Sequence, residues 1–323
     1  MRLHPRVGRQ IRRSSSRNRS GVGDMETILV TGGSGWIGGF VVQLLLEKGY
    51  NVHALYHRSS RTDLLCTWHQ ADLFDEKEVE VLIDRVRPTH LMHLAWDAIP
   101  PQCYTSLRNY NWMQSSKMLI ERFVQCGGRR VIVAGSCAEY EWTQGLLSEK
   151  ASALSTKTLY AICKNSLRAW LESYASQSGL SSGWARIFHL YGPQEQGNRL
   201  VSSIIRSLLD GREAACSQGK QYRDFLYVKD VANALVSFLL SKVQGTLNIG
   251  SGIPVQVKQI ATMVAKELGR EPLLRLGALP DPADEPLYVG AHVGRLRQEL
   301  HWRPQYTLEA GIRETIEWYR SFK

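Results

Sequence analysis

The sequence predicts an α/β protein, a doubly wound parallel sheet with a smaller C-terminal substrate-binding lobe. Two observations carry the prediction. From Glu26 onward short β-rich runs alternate with longer helical ones, a pattern that implies parallel strands joined by helical crossovers. The first of those strands runs into a glycine turn, Thr31-Gly32-Gly33-Ser34-Gly35-Trp36-Ile37-Gly38, that opens a helix. With 323 residues the chain can bury a large core.

Taken in order, residues 27–31 read as a strand and 38–48 as a helix stopped at Gly49. A strand follows over 51–56, then a helix over 75–87 that ends at Pro88, and a buried strand over 90–95. Residues 112–125 read as a helix closed by Gly127-Gly128, 130–135 as a buried strand, 159–178 as a long helix and 182–188 as a strand. Beyond this the pattern is less regular. Strand-turn-helix is expected over 224–240, a strand over 245–249, prolines and short strands over 270–286, and a closing helix over 310–322. The dinucleotide-binding domain is drawn as 25–187 plus 225–252, and the substrate lobe as 188–224 plus 253–323.

Charge and composition narrow the function classes. Residues 1–24 hold seven arginines and one acid, Asp24, so more than half of the formal charge of +10 sits there. This Arg/Ser-rich tail lacks apolar periodicity and is expected to be disordered. A transit peptide, a nucleic-acid-binding arm and an extension upstream of a start at Met25 all fit it. The position of Met25 just before the first strand favours the extension. The tail has no interleaved aromatics, so no nucleic-acid partner is expected. No run of 18 apolar residues offers a membrane span. Six cysteines without C-x-x-C spacing or a secretory signal suggest reduced thiols in the cytoplasm. Nine scattered histidines form no ligand cluster, and no metal is expected.

The glycine turn is the first motif with chemistry in it. Gly32, Gly35 and Gly38 permit a tight bend and let backbone N–H groups approach a pyrophosphate at a helix N-terminus. The strand that follows ends in Tyr56-His57-Arg58-Ser59-Ser60-Arg61, with no acid before Asp63. A carboxylate there suits the ribose of NAD, whereas arginine suits the 2′-phosphate of NADP. Arg58 and Arg61 therefore favour NADPH, with NAD as the alternative. Asp72 is placed to meet the adenine amine or to start a helix.

Tyr160 and Lys164 are the second motif. Four residues apart on a helix, they share a face, where an ammonium can lower the pKa of a phenol for proton transfer to a carbonyl or alcohol oxygen. The spacing recurs at Tyr319 and Lys323 with no glycine turn or serine to serve it, so the pair gains meaning only from its context.

That context is the order TGGSGWIG, ADL, HLAW, AGSCAEY, YAICK, RIFHLYGP, RDFLYVKDVA and LNIGSG. It resembles the extended short-chain dehydrogenase/reductases that act on nucleotide sugars, over nearly all of 26–323, and implies their Rossmann architecture. The resemblance implies Ser136, Tyr160 and Lys164 as the catalytic triad, Ser136 standing four before Tyr140 as the family's serine does. In the roles the resemblance implies, Tyr160 is expected to exchange a proton with the sugar oxygen, Lys164 to hold the nicotinamide ribose and depress the Tyr160 pKa, and Ser136 to hydrogen-bond the reacting oxygen. It also implies cofactor contacts from Trp36, Ile37, Leu73, Leu94 and Ala95. On the substrate side it implies Trp96, His189, Arg199 and Arg223, with Cys103 and Tyr288 in the lining. Arg223 matches an arginine that grips the nucleotide's phosphates, and His189 stands where many relatives have an asparagine. Asn111 matches an asparagine near the active site, and His93 reads as a strand residue beside the cofactor.

Dehydratases of this family carry an acid–base pair directly after the serine. Here those places are Cys137 and Ala138, with Glu139 one residue too late. Reductases that also epimerise use a cysteine two places after the serine, and Cys137 is one place off. The second half looks most like CDP-paratose and CDP-abequose synthase-type 4-ketoreductases, implying reduction of a nucleotide-linked 4-keto-6-deoxy sugar. A 4-epimerase with retained NAD is the alternative. A homodimer through the two long helices is typical of the family.

Overall fold

The computed structural model describes residues 26–61, 63–142, 145–195, 199–281 and 286–322; the predicted basic tail lies outside them. The main sheet is built from β1 (Thr27–Thr31), β2 (Asn51–Tyr56), β3 (Thr67–Gln70), β4 (His90–His93), β5 (Arg130–Ser136), β7 (Ser181–Ile187) and β12 (Gly245–Ile249). Their spatial order is β12-β7-β5-β4-β1-β2-β3, with every pairing parallel. The sheet is thus doubly wound from β1, as predicted, and the order of its strands reverses between β1 and β4.

Alternation along β1 shows how the layers form. Ile28 and Val30 join Val41, Val42 and Leu45 of α1 (Trp36–Glu47) and Leu235 and Leu239 of α7 (Val228–Leu240). Leu29 faces the other way, toward α2 (Glu76–Val86), α4 (Arg108–Gln125) and α5 (Leu159–Ser178), where Leu82, Ile120 and Leu167 are buried. Helix ends follow local chemistry. The Asp75 side chain accepts the Lys77 and Glu78 N–H groups at the start of α2, Thr158 accepts Ala161 N–H at the start of α5, and Gly179 ends α5 at φ 72°.

A third apolar cluster unites α6 (Leu200–Leu209), α8 (Val257–Leu268) and α10 (Leu308–Arg320). Around it lie three small sheets. One orders β13 (Val255–Gln256), β10 (Tyr222–Arg223), β15 (Tyr288–Ala291) and β6 (Gly145–Leu147); the others pair β8 (His189–Tyr191) with β11 (Phe225–Tyr227), and β9 (Ala214–Cys216) with β14 (Leu274–Leu276). Two short α-helices, α3 (Gln102–Thr105) and α9 (Gly294–Gln298), and two 3-10 turns, Cys137–Glu139 and Glu271–Leu273, complete the described elements.

The later chain is more regular than its sequence suggested. The helix α8 was not expected, although Ile260, Ala261 and Val264 form one buried stripe and Gly269 closes it in the left-handed region. β3 was also missed, because TWHQ is short and has no apolar alternation, and none of its residues is fully buried. The helix expected from residue 112 begins at Arg108. Among the described residues no helix is long and apolar enough to cross a membrane.

Candidate active site

The carboxyl ends of the parallel strands assemble the site, where ligands of such sheets bind. A cleft of about 420 Å³ opens there. Its lining contains Gly32, Gly35, Trp36, Ile37 and Gly38 from the glycine turn, Asp72 and Leu73 after β3, and Leu94, Ala95 and Trp96 after β4. Gly32 has φ +69°, and a Cβ on Gly38 would lie 2.0 Å from the Gly32 carbonyl oxygen, so the turn closes only with glycine. No side chain caps the N-terminus of α1 and no acid stands in its first turn. Free N–H groups there suit the pyrophosphate of a dinucleotide.

Asp72 lines the cleft and accepts the Phe74 N–H at 2.9 Å; the residue that caps the following helix is Asp75. Arg58 is exposed next to His57, which lines the cleft. Arg61 is placed differently. Its guanidinium donates to Gln194 at 2.8 Å and to Asp63 at 2.7 Å, and packs against Gly39 of α1. Neither arginine belongs to the cleft lining. His93 is buried, bonded to Thr31 at 2.7 Å and Ser116 at 2.8 Å, and burial lowers its pKa to about 3, so it is a neutral strand residue.

Ser136, Tyr160 and Lys164 converge at the end of β5. The Lys164 ammonium donates to Ala134 O at 2.8 Å and sits 3.8 Å from the Trp96 ring centre and 5.9 Å from that of Tyr160. Tyr160 meets Trp96 and Tyr104 edge-on at 6.3 and 6.0 Å. The Ser136 hydroxyl accepts Ala138 N–H at 3.2 Å. Burial draws Lys164 down to about 7, against the charge of Glu139, which favours the ammonium. Burial and then Glu139 raise the Tyr160 phenol well above its ordinary range, while a bond to the Ser136 hydroxyl acts the other way. The expectation that Lys164 sets the phenol differs from this: Ser136 is the group that lowers it.

Cys137 is buried and its thiol is pushed up to about 12 by burial and by Glu139. Glu139 is also fully buried, bonded to Arg186 at 2.7 Å. The positions after Ser136 therefore present no acid–base pair to a substrate.

Arg199 lines both the main cleft and a second one, of about 260 Å³, under Leu200, Cys216 and Lys258. Its guanidinium lies 5.5 Å from the Trp36 ring centre. Arg223 is buried, donates to Tyr222 O and Pro286 O at 2.8 and 2.9 Å, and lies 5.3 Å from the Trp142 ring centre. His189 packs between Trp142 and Phe225 at 5.6 and 5.5 Å. Burial, then Arg223 and Arg199, lower it to about 4, so it is neutral. Cys103 is buried on α3 and Tyr288 is half-buried against Tyr222.

Sequence reasoning missed two contributors. Trp142 touches both Arg223 and His189, and nothing but a lone tryptophan in a loop signalled it. Asn109, not Asn111, is the buried asparagine: it accepts the Trp96 indole N–H at 2.8 Å and donates to Cys103 O at 2.7 Å, while Asn111 is exposed on α4.

The NAD dependent epimerase/dehydratase family matches the chain over residues 28–250. The chain belongs to that family. UDP-glucuronate 4-epimerase 1 of Arabidopsis thaliana is 26% identical over 349 residues, covering 97% of this chain and 80% of its own. UDP-glucuronic acid decarboxylase 1 of Xenopus tropicalis is 25% identical over 310 residues, covering 92% and 73%. Among solved structures, MoeE5 in complex with UDP-glucose and NAD is 27% identical with a TM-score of 0.79, covering 92% of this chain and 99% of that one. As a member of this NAD-dependent family the chain is an enzyme, and the relatives named carry nucleotide-sugar names or ligands.

Proposed function

We propose that this family member reduces a nucleotide-linked 4-keto-6-deoxy sugar at C4, with Tyr160 as proton donor. The observation that carries this reading is the buried Tyr160 phenol, which stays protonated at neutral pH beside Ser136 and Lys164. A ketone reduction needs a proton given to the nascent alkoxide, and a phenol in this state can give one. Ser136 hydrogen-bonds the same oxygen and steadies its charge. When bound, the nicotinamide supplies the hydride. Gly32, Gly35, Gly38 and the N-terminus of α1 would hold the pyrophosphate, Asp72 and Leu73 the adenine end, and Lys164 the ribose. Arg199 spans the cofactor and second clefts and suits a nucleotide diphosphate, while the buried Arg223 acts on His189 through its charge. The inert Cys137, Ala138 and the sequestered Glu139 argue against elimination of water.

A second reading, a 4-epimerase with retained NAD, is favoured by the placement of Arg61, whose guanidinium is already taken by Asp63 and Gln194. Cofactor content separates the two. As a reductase the purified protein should carry less than about one-tenth of an equivalent of dinucleotide, read by absorbance of the heat-released fraction; near-stoichiometric NAD favours the epimerase.

Arg58 then becomes the arginine suited to a 2′-phosphate. Arg58→Ala is expected to weaken NADPH by about tenfold more than NADH, a loss of roughly 1.4 kcal/mol, and Arg61→Ala by much less. Equal losses for both cofactors in a fluorescence titration would move the reading to NAD. A cytoplasmic homodimer through α4 and α5 is part of the same proposal, and sedimentation would detect it.

A further inference from the structure

Behind Ser136 lies a charged cluster that the proposed chemistry does not use. Glu139, Trp184 and Arg186 are 0, 1 and 1% exposed. One Glu139 oxygen accepts Arg186 Nε at 2.7 Å, the other accepts the Ser136 backbone N–H at 2.7 Å, and both receive the Trp184 indole N–H at 2.9 and 3.0 Å. Arg186 stacks on Tyr140 at 4.3 Å. Asn165, next to Lys164 on α5, donates to Glu139 O at 2.9 Å. A Cβ on Gly135 would fall 2.2 Å from the Trp184 indole nitrogen and 2.5 Å from a Glu139 oxygen, so glycine before Ser136 is what admits the carboxylate.

A buried ion pair is a poor way to add stability, since well-packed apolar residues serve as well. What a satisfied pair does supply is fixed direction and fixed charge where water is excluded. We propose that Glu139 is the positioning residue of this site: through the Ser136 N–H it fixes the end of β5 that carries the Ser136 hydroxyl, and it places the carboxylate of its ion pair with Arg186 behind Tyr160 and Lys164. The inference rests on the reading of those three residues as the reacting groups.

The ionisable groups around this charge are Arg186 on β7, Tyr160 and Lys164 on α5, and Cys137 and Tyr140 on its own segment, with His93 of β4 beside Lys164. Arg186 balances the pair, yet the Glu139 charge still favours the Lys164 ammonium and opposes ionisation of Tyr160. Both effects keep the site protonated, the state a proton donor needs.

Two variants test this: Glu139→Gln, and Glu139→Leu with Arg186→Met, which leaves no unpaired buried charge should the single variant fail to fold. The first readout is the titration of Lys164, followed by NMR of lysine labelled at Cε, and needs no substrate. Its midpoint is expected to fall by about half a pH unit, about a threefold change in the ratio of protonated to neutral lysine. The second readout is turnover on a nucleotide 4-keto sugar, expected to fall about tenfold or more with KM within about twofold, and with the alkaline limb of the rate profile moved to lower pH. A folded double variant with unchanged Lys164 titration and unchanged turnover overturns the proposal. A shifted lysine in a protein that turns over no sugar nucleotide would uphold Glu139 and sink the substrate reading instead.

Discussion

Tyr160→Phe is expected to lower turnover by about a hundredfold or more while leaving dinucleotide affinity nearly unchanged. The ring makes its edge contacts with Trp96 and Tyr104 through carbon, and phenylalanine keeps them. The Lys164 bond to Ala134 O does not involve the phenol, so the ribose side of the site is left as it was. What goes is the phenol proton next to the Ser136 hydroxyl. Hydride arriving at a carbonyl carbon would then leave an alkoxide that the Ser136 hydroxyl can hydrogen-bond but that no phenol neutralises, which raises the barrier. Pre-steady-state absorbance of the reduced cofactor measures the loss, and a fluorescence titration checks binding. Turnover near the wild-type rate would remove Tyr160 from the mechanism.

Arg186→Met is expected to destabilise the fold by about 3–5 kcal/mol, the range for a buried charge left without its partner. Both members of the pair are fully enclosed. Without Arg186, the Glu139 carboxylate keeps the Trp184 and Ser136 N–H donors but no countercharge. Tyr140 also loses the cation on its face. Urea unfolding followed by tryptophan fluorescence, which Trp184 itself reports, would register the change as a lower midpoint at constant slope. A loss below about 1 kcal/mol, the size ordinary for an exposed pair, would show that the cluster relaxes.

Much of the site was legible because its signals are local. β1, β2, α5 and β12 have the bounds read from sequence, each an apolar run or a periodic helix set off by glycine or a capping residue. The glycine turn and the Tyr160–Lys164 spacing specify backbone geometry by themselves, and Ser136 at the end of β5 needed only the order of motifs. Partnerships across long sequence separations were not legible. Arg61 reads as a free cation beside the second strand, yet Gln194, 133 residues later, takes its guanidinium. Glu139 reads as one more acid in a loop, and only folding brings Trp184 and Arg186 to it from 45 and 47 residues away. Asn109 and Asn111 are equivalent as letters; which one turns inward under Trp96 is set by where α4 begins.

Transfer of label decides whether this site performs the chemistry assigned to it. The protein would be incubated with a panel of nucleotide-linked 4-keto-6-deoxy sugars and NADPH carrying deuterium at the nicotinamide C4, on either face. One deuterium is expected at C4 of the product sugar from one of the two labelled cofactors, and Tyr160→Phe is expected to form that labelled product about a hundredfold more slowly. Cofactor oxidation with no label at C4 from either labelled cofactor, or label transfer by Tyr160→Phe at the wild-type rate, would contradict this chemistry.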